Sequence, residues 1–369
     1  MKILVLNAGS STFKCALFEK AQNRKDPDPV QLWSGSVDYQ PIKAEKTLKK
    51  LLEPILNGFS IDCIGHRVVH GGSAFTEPTL LTPSILKKLQ KLSELAPLHN
   101  PANLLGIKMM GHLYPQTPQV AVFDTAFHKT LSEEAFTYPL PLQWKKEGLR
   151  RYGFHGISHA YCLQKGSEIL GRKPSELNLI TCHLGNGASL TAIRKGKSVD
   201  TTMGFTPLEG LMMGSRCGSI DPGILLHQLR QGLTGSQLEK ILNFESGFKG
   251  ICGTNDLRKV LQLQAKGDPH AHLALEMYRL NHLRHFGAML ASLDRLDGVV
   301  FTGGIGENSP WIRKETATAF PWLGMQMDLA KNNRSLPDQI ISSRLSKIPL
   351  LIIHAQEEWM IAKDCIHLS

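Results

Sequence analysis

Two short segments, far apart in the chain, carry nearly the same pattern, and that repetition constrains the fold more than any other feature. The first is KILVL (2–6) running into NAGSSTFK (7–14); the second is LNLITCH (177–183) running into LGNGASLTAI (184–193). Each begins with an apolar run that reads as a short strand covered on both faces. A turn of small, polar and glycine residues follows, and then a second strand, 13–18 in one case and 188–193 in the other. Laid together without a gap, LNAGSSTFKCAL and CHLGNGASLTAI set Gly9 on Gly185, Ala16 on Ala192 and Leu17 on Ile193. One such turn is an ordinary hairpin, because Asn, Gly and Ser dominate turns. Backbone N–H groups, the Ser10, Ser11 and Thr12 hydroxyls, an Asn amide and Lys14 also make it a phosphate cradle. Occurring twice, the motif reads as an internal duplication of a strand–turn–strand phosphate loop, one copy per domain. Two such loops facing each other would clamp a polyphosphate in a cleft between the domains.

A chain of 369 residues exceeds one small core, so two domains are expected. With 42% hydrophobic and 20% charged residues the composition is that of an ordinary globular protein. No apolar run approaches the roughly 18 residues that would span a bilayer. The apolar stretch 3–6 is too short for a signal-peptide core before Asn7 breaks it. The seven cysteines are scattered, odd in number and without a CxxC pair, which fits a reducing cytoplasm rather than a disulfide framework or zinc site. The net charge of +10 gathers in segments such as KAEKTLKK (43–50) and LKKLQK (86–91). Their leucine spacing reads as solvated faces of amphipathic helices. A basic balance favours anionic partners such as nucleotides. No aromatic stripe, helix-turn-helix or RNA-binding motif points to nucleic acid.

Strand-like and helical runs alternate, which implies an α/β architecture. Strands are expected at 3–6, 13–18, 30–37, 63–69 and 120–123, with helices at 44–56, 83–96 and 103–110. The pattern restarts with strands at 177–183, 188–193 and 198–202. A third glycine segment, LDGVVFTGGIGENS (296–309), follows a strand, and its glycines would let backbone approach a flat ligand. Ser309 is the expected N-cap of the next helix, with Pro310 at its first position. Neither GxGxxG nor GxxxxGK[ST] occurs, so the Rossmann and P-loop signatures are absent. A last strand at 349–353 leads into a closing helix at 359–366. The pairs His66/His70 and His155/His159 lack the HExxH glutamate, and in a strand such a pair lies too far apart for one metal.

The blocks NAGSSTFK, HRVVHGG, VFDTAFH, RYGFHGISH, HLGNGAS, MGFTPLEGLMMGSRCG, FTGGIGENS and QEEWMIA stand in the order seen in the acetokinase family, which the chain resembles from Lys2 to about Ile366. The resemblance implies a duplicated actin/Hsp70-like (ASKHA) kinase fold, with two domains and the active site in the cleft between them. Residues 1–125 with 356–369 would carry the acyl substrate and phosphate, and 126–355 the nucleotide. The implied reaction is reversible, in-line, magnesium-dependent phosphoryl transfer from ATP to acetate, giving ADP and acetyl phosphate. Propionate or butyrate is the alternative acceptor within the family, and an actin/Hsp70-like ATPase module is the alternative outside it. Manganese is the alternative cation, and a cytoplasmic homodimer without membrane or nucleic-acid partners is expected.

Phosphoryl transfer needs alignment and positive charge rather than covalent help. By resemblance, Asp124, His155 and Arg216 are the catalytic positions, with Arg216 stabilising the transition state and His155 donating to the transferring group. Arg67 would hold the carboxylate, for which a planar guanidinium is suited. Acetate is already ionised at neutral pH, so Asp124 is better read as organising metal and substrate than as a base. Asn7 and Glu357 match the magnesium positions, and oxygen ligands suit that hard cation. Val69, Leu98, Phe154 and Pro207 match the small apolar pocket for the methyl group. One extra methylene is worth only about 1–3 kcal/mol of discrimination. Nucleotide contacts are implied for Lys14, His183, Leu184, Gly185, Asn186 and Gly187, for Asp256, Leu257 and Arg258, and for Gly304, Ile305, Gly306, Glu307 and Asn308. Ser219 stands where the family usually has an acidic residue, a change of local charge beside Arg216.

Overall fold

The computed structural model describes residues 1–9, 12–20, 28–39, 43–56 and 58–368, so Ser10 and Ser11 of the first phosphate loop lie outside the described residues. The chain forms two compact units: residues 1–129, 156–161 and 356–369 in unit 1, and residues 130–155 and 162–355 in unit 2.

Unit 1 is built on β1 (Lys2–Ala8), β2 (Thr12–Lys20), β3 (Pro29–Asp38), β4 (Cys63–Val68), β5 (Thr79–Leu80) and β6 (Gln119–Phe123), in the order β3-β2-β1-β4-β6-β5. β1 pairs antiparallel with β2 and parallel with β4, and β4 pairs parallel with β6. The apolar run in β1 is continuous because both faces of the sheet are covered. Leu4 and Leu6 pack with Phe13 and Leu17 against Leu48, Leu52 and Ile55 of the helix Ala44–Leu56. Ile3 and Val5 face the other way, with Phe18 and Val122, onto Ile361, Ala362, Cys365 and Ile366 of the C-terminal helix Glu357–Leu368. That helix lies so close to β4 that a Cβ on Gly65 would sit 2.7 Å from Ile361 and 2.8 Å from the Cys365 sulfur. Only glycine leaves room for it.

Unit 2 repeats the plan with β7 (Asn178–Leu184), β8 (Ala188–Arg194), β9 (Lys197–Thr201), β10 (Gly298–Thr302), β11 (Gln339–Ile340) and β12 (Leu350–Ile352), in the order β11-β12-β10-β7-β8-β9. β7 and β8 are antiparallel, while β7, β10 and β12 run parallel. Strand for strand this is the sheet of unit 1, so the duplication read from the hairpins extends over both whole sheets. The ungapped alignment, however, is off by one in the second strand. Ala8 pairs with Phe13, with four positions between them in the sequence, whereas Leu184 pairs with Ala188, with three between. The register therefore sets Leu17, not Ala16, on Ala192. The register shifts agree, falling between Leu17 and Phe18 in β2 and between Ala192 and Ile193 in β8.

Two expected helices shift at their N- or C-terminal ends by several residues. The helix expected over 83–96 ends at Lys91 and tightens into a 3-10 turn, Leu92–Glu94, ahead of Pro97. The helix expected from 103 begins at Asn100, because Pro101 sits in the first turn where its missing N–H costs nothing. The glycine segment after β10 folds as a short helix, Gly303–Asn308. Gly303 opens it at φ 77°, and a Cβ there would lie 2.8 Å from the Leu184 carbonyl oxygen.

Candidate active site

In unit 1 the site grows from the carboxyl ends of three neighbouring parallel strands, where α/β sheets present functional groups. Asn7 is the penultimate residue of β1, Arg67 that of β4, and Asp124 follows β6 directly. Arg67 aims two donors at one carboxylate oxygen of Asp124: Nε at 3.1 Å, and Nη2 in a short ion pair with the same Oδ2. Its Nη1 donates to Asn7 Oδ1 at 3.4 Å, and Asn7 Nδ2 donates to Glu358 Oε1 at 3.2 Å. Asp124 is 1% exposed. Burial alone would lower the Arg67 pKa, but Asp124, then Glu357 and Glu358, raise it above the ordinary value and keep the guanidinium charged. Glu357 and Glu358 occupy the first turn of the C-terminal helix, where the dipole favours negative charge.

The chain just beyond β4 is held by two amides one helical turn apart. Asn103 accepts from the Val69 N–H (3.1 Å) and donates to the Ala8 carbonyl (2.6 Å). Asn100 accepts from the His70 N–H and donates to the His70 carbonyl, both at 3.1 Å. Val69 is thereby fixed and buried, Leu98 is half-buried, and Lys14 stands exposed on β2 opposite Asn7.

In unit 2 a second group surrounds the β7–β8 turn. His155 adopts a left-handed conformation (φ 56°, ψ 24°) at the start of the helix Gly156–Leu170. Its Nδ1 lies 2.9 Å from Ser189 Oγ, and its ring stacks on His183 with centroids 4.2 Å apart. Arg216 Nη1 donates to the Pro207 carbonyl at 3.2 Å. A Cβ at Gly187 would fall 3.4 Å from His155 Nε2 and 3.5 Å from Arg216 Nη1, so the glycine turn, the histidine and the arginine adjoin. Ser219 exchanges hydrogen bonds with Gly210, accepting from its N–H at 3.0 Å and donating to its carbonyl at 2.9 Å. Phe154 is buried and Pro207 half-buried.

Beside this group is a cavity of about 550 Å³. Of the expected nucleotide residues, Gly185, Asn186, Asp256, Leu257, Arg258, Gly304, Ile305 and Asn308 line it. His183, Leu184, Gly187, Gly306 and Glu307 do not; the Glu307 carboxylate accepts instead from the Gly303 and Ala355 N–H groups and meets His354 Nδ1. Asp256 caps the helix Leu257–Ala265, and Arg258 folds back on it through Nε (3.0 Å) and Nη2 (2.8 Å), which holds the Asp256 carboxyl below its usual range. Ser309 stands at the expected N-cap, but its hydroxyl makes no capping bond.

Sequence reasoning missed Asn255, Leu261, Ser309, Pro310 and Trp311 on the cavity wall, Glu358 and Ser189 beside Asn7 and His155, and Asn100 and Asn103 on the backbone that carries Val69. The i,i+4 spacing of Leu257 and Leu261 was a legible signal of a shared face. Trp311 read only as the start of a helix.

Among the described residues no three His, Cys, Asp or Glu side chains are placed to hold a metal by themselves. The side-chain oxygens of Asn7 and Glu357 still suit magnesium, which binds through one or two carboxylates, waters and substrate phosphates.

Sheets of this duplicated topology frame the actin/Hsp70-like kinases, and oxygen donors with fixed arginines are the equipment of phosphoryl transfer. The chain is a phosphotransferase of that class. A sequence model of the acetokinase family matches residues 2–363. Acetate kinase of Protochlamydia amoebophila is 47% identical over 393 residues, covering 99% of this chain and 98% of that protein. Acetate kinase of Synechococcus sp. (strain JA-2-3B'a(2-13)) is also 47% identical, with 100% and 99% covered. Among solved structures, a propionate kinase from Francisella tularensis superposes with a TM-score of 0.88 at 39% identity, covering 98% of each chain. Porphyromonas gingivalis acetate kinase gives a TM-score of 0.88 at 36% identity, covering 100% of this chain and 99% of that one. The chain belongs to the acetokinase family.

Proposed function

We propose that this protein is an acetate kinase, moving the terminal phosphoryl group of ATP reversibly to the carboxylate of acetate. The observation that carries the reading is Arg67, kept charged at the strand ends by Asp124 and its acidic neighbours. A charged guanidinium fork is what a carboxylate or acyl phosphate requires. In this reading Arg67 holds the acid, and buried Val69 limits its length. Asp124 orients Arg67 and takes part in binding magnesium with Asn7 and Glu357. Bound there, the cation would neutralise charge on the transferring group. Arg216 and His155 stabilise the transferring phosphoryl group, and the cavity holds the nucleotide.

Propionate is the second reading, supported by the Francisella propionate kinase likeness. Mixing the protein with Mg·ATP and acetate, propionate or butyrate, then trapping acyl phosphate with hydroxylamine, tests both. Acyl phosphate from none of the acids would reject the kinase reading; propionate outpacing acetate would replace the substrate.

We assign a homodimer and a cytoplasmic setting. The helix Pro269–Ala291 buries Ala274, Tyr278 and Phe286 yet exposes Leu273, Met277 and Leu280, a stripe suited to a second copy. All seven cysteines are free, as a reducing compartment requires. No helix of the described residues is long and apolar enough to cross a membrane. Sedimentation of a Leu273→Ser, Leu280→Ser variant as a monomer, beside a dimeric parent, would support the assembly.

A further inference from the structure

Arg313 is fully buried, and its guanidinium makes five hydrogen bonds, none to a carboxylate. Nη1 donates to the Gly306 (2.7 Å) and Glu307 (2.9 Å) carbonyls. Nε donates to Asn332 Oδ1 (2.7 Å), and Nη2 to the Asn332 carbonyl (2.7 Å) and Ser335 Oγ (2.8 Å). Gly306 and Glu307 lie in the last turn of the short helix Gly303–Asn308, and Asn332 in that of Leu329–Arg334. Carbonyls at helix ends lack intrahelical partners and carry negative partial charge. One cation therefore satisfies two helix ends at once. Burying a charge without a counter-ion is costly, and burial pushes this guanidinium down to about 10, still protonated at neutral pH.

Other residues of that short helix form the cavity wall: Gly304, Ile305 and Asn308 line it, and Asn308 Nδ2 donates to the Gly304 carbonyl at 3.0 Å. A helix of six residues containing three glycines has little stability of its own. Its shape has to be imposed from behind. Asn332 extends the brace, donating to the Pro310 carbonyl at 3.0 Å, next to the lining residues Ser309 and Trp311.

We propose that Arg313 is a positioning residue for the nucleotide, touching no substrate but fixing the glycine helix in the shape that the nucleotide meets. The inference rests on the kinase reading for the identity of the ligand. Lysine keeps the charge but cannot reproduce the planar fork.

The test compares Arg313→Lys and Arg313→Met with the parent, reading KM for ATP, KM for acetate and the rise in unfolding temperature that Mg·ATP produces. The expected result is a KM for ATP raised about tenfold in Arg313→Lys and further in Arg313→Met, with KM for acetate within about twofold and a smaller ATP-induced thermal rise. A KM for ATP within about twofold of the parent in a folded variant would overturn the proposal, as would both KM values rising together. If neither variant folds, Asn332→Ala takes over, since it removes the Nε acceptor and leaves Arg313 in place. A KM for ATP raised about threefold supports the brace, and an unchanged value overturns it. Should the parent make no acyl phosphate yet gain thermal stability from Mg·ATP, the acid assignment fails, and the thermal shifts alone decide Arg313.

Discussion

Arg67 illustrates how much one side chain draws from the place where its strand ends. It meets Asp124 and Asn7 because β1, β4 and β6 are parallel neighbours, so three side chains separated widely in sequence reach one point. Arg67→Lys keeps a charge but gives up the fork. We expect KM for acetate to rise about tenfold or more while KM for ATP holds, measured by initial rates. At Arg216 the loss should fall on turnover. Arg216→Ala should lower kcat by about 10²- to 10³-fold while the ATP-induced thermal shift survives; equal losses in both would contradict a transition-state role. These charged residues were legible in the sequence through their motifs. Glu358 and Ser189 were not, because a doublet of glutamates and a serine in a strand say nothing about which partner the fold supplies.

At the level of elements, strands such as β1, β6 and β10 were legible because their apolar runs are unbroken, whereas the two-residue strands β5 and β11 carry no such run and were not expected. The helix Gly303–Asn308 was not legible, since glycine favours no regular structure and side chains remote from the glycine pattern, Arg313 and the Glu307 carboxylate among them, hold it closed. The turn between β1 and β2 misled in a different way: turn residues resemble one another, so an ungapped alignment concealed one extra position that the strand register exposes. The helix Asn100–Leu113 shows an element acting at a distance, its two amides pinning the segment that carries Val69. Asn103→Leu would leave the Val69 N–H and the Ala8 carbonyl without their side-chain partner. That should cost about 1–3 kcal/mol in denaturant unfolding and raise KM for acetate; unchanged stability would mean that water replaces the amide.

For the whole molecule, the duplication was legible from two hairpins alone, and it holds for sheet order, strand direction and even the register shift. Stability should carry a pH signature from two buried imidazoles. Burial lowers His66 to about 4 and His282 to about 3, against about 6.5 in an unfolded chain. Between those values the unfolded state takes up protons that the folded state refuses. The stability is thus present above pH 6.5 and drains away as pH falls toward 4. The slope is about 1.4 kcal/mol per pH unit for each histidine. Thermal unfolding at pH 7 and pH 5 should differ less in His66→Gln than in the parent; equal differences would remove His66 from the account. The division of the chain has one more outcome, set by the direction of protein synthesis. Unit 1 starts first but closes one face of its sheet with Ile361, Ala362, Cys365 and Ile366, whereas every residue of unit 2 precedes position 356. During synthesis β1 and β4 therefore leave the exit tunnel with an apolar face that stays open until the helix Glu357–Leu368, made after every strand of unit 2, reaches it.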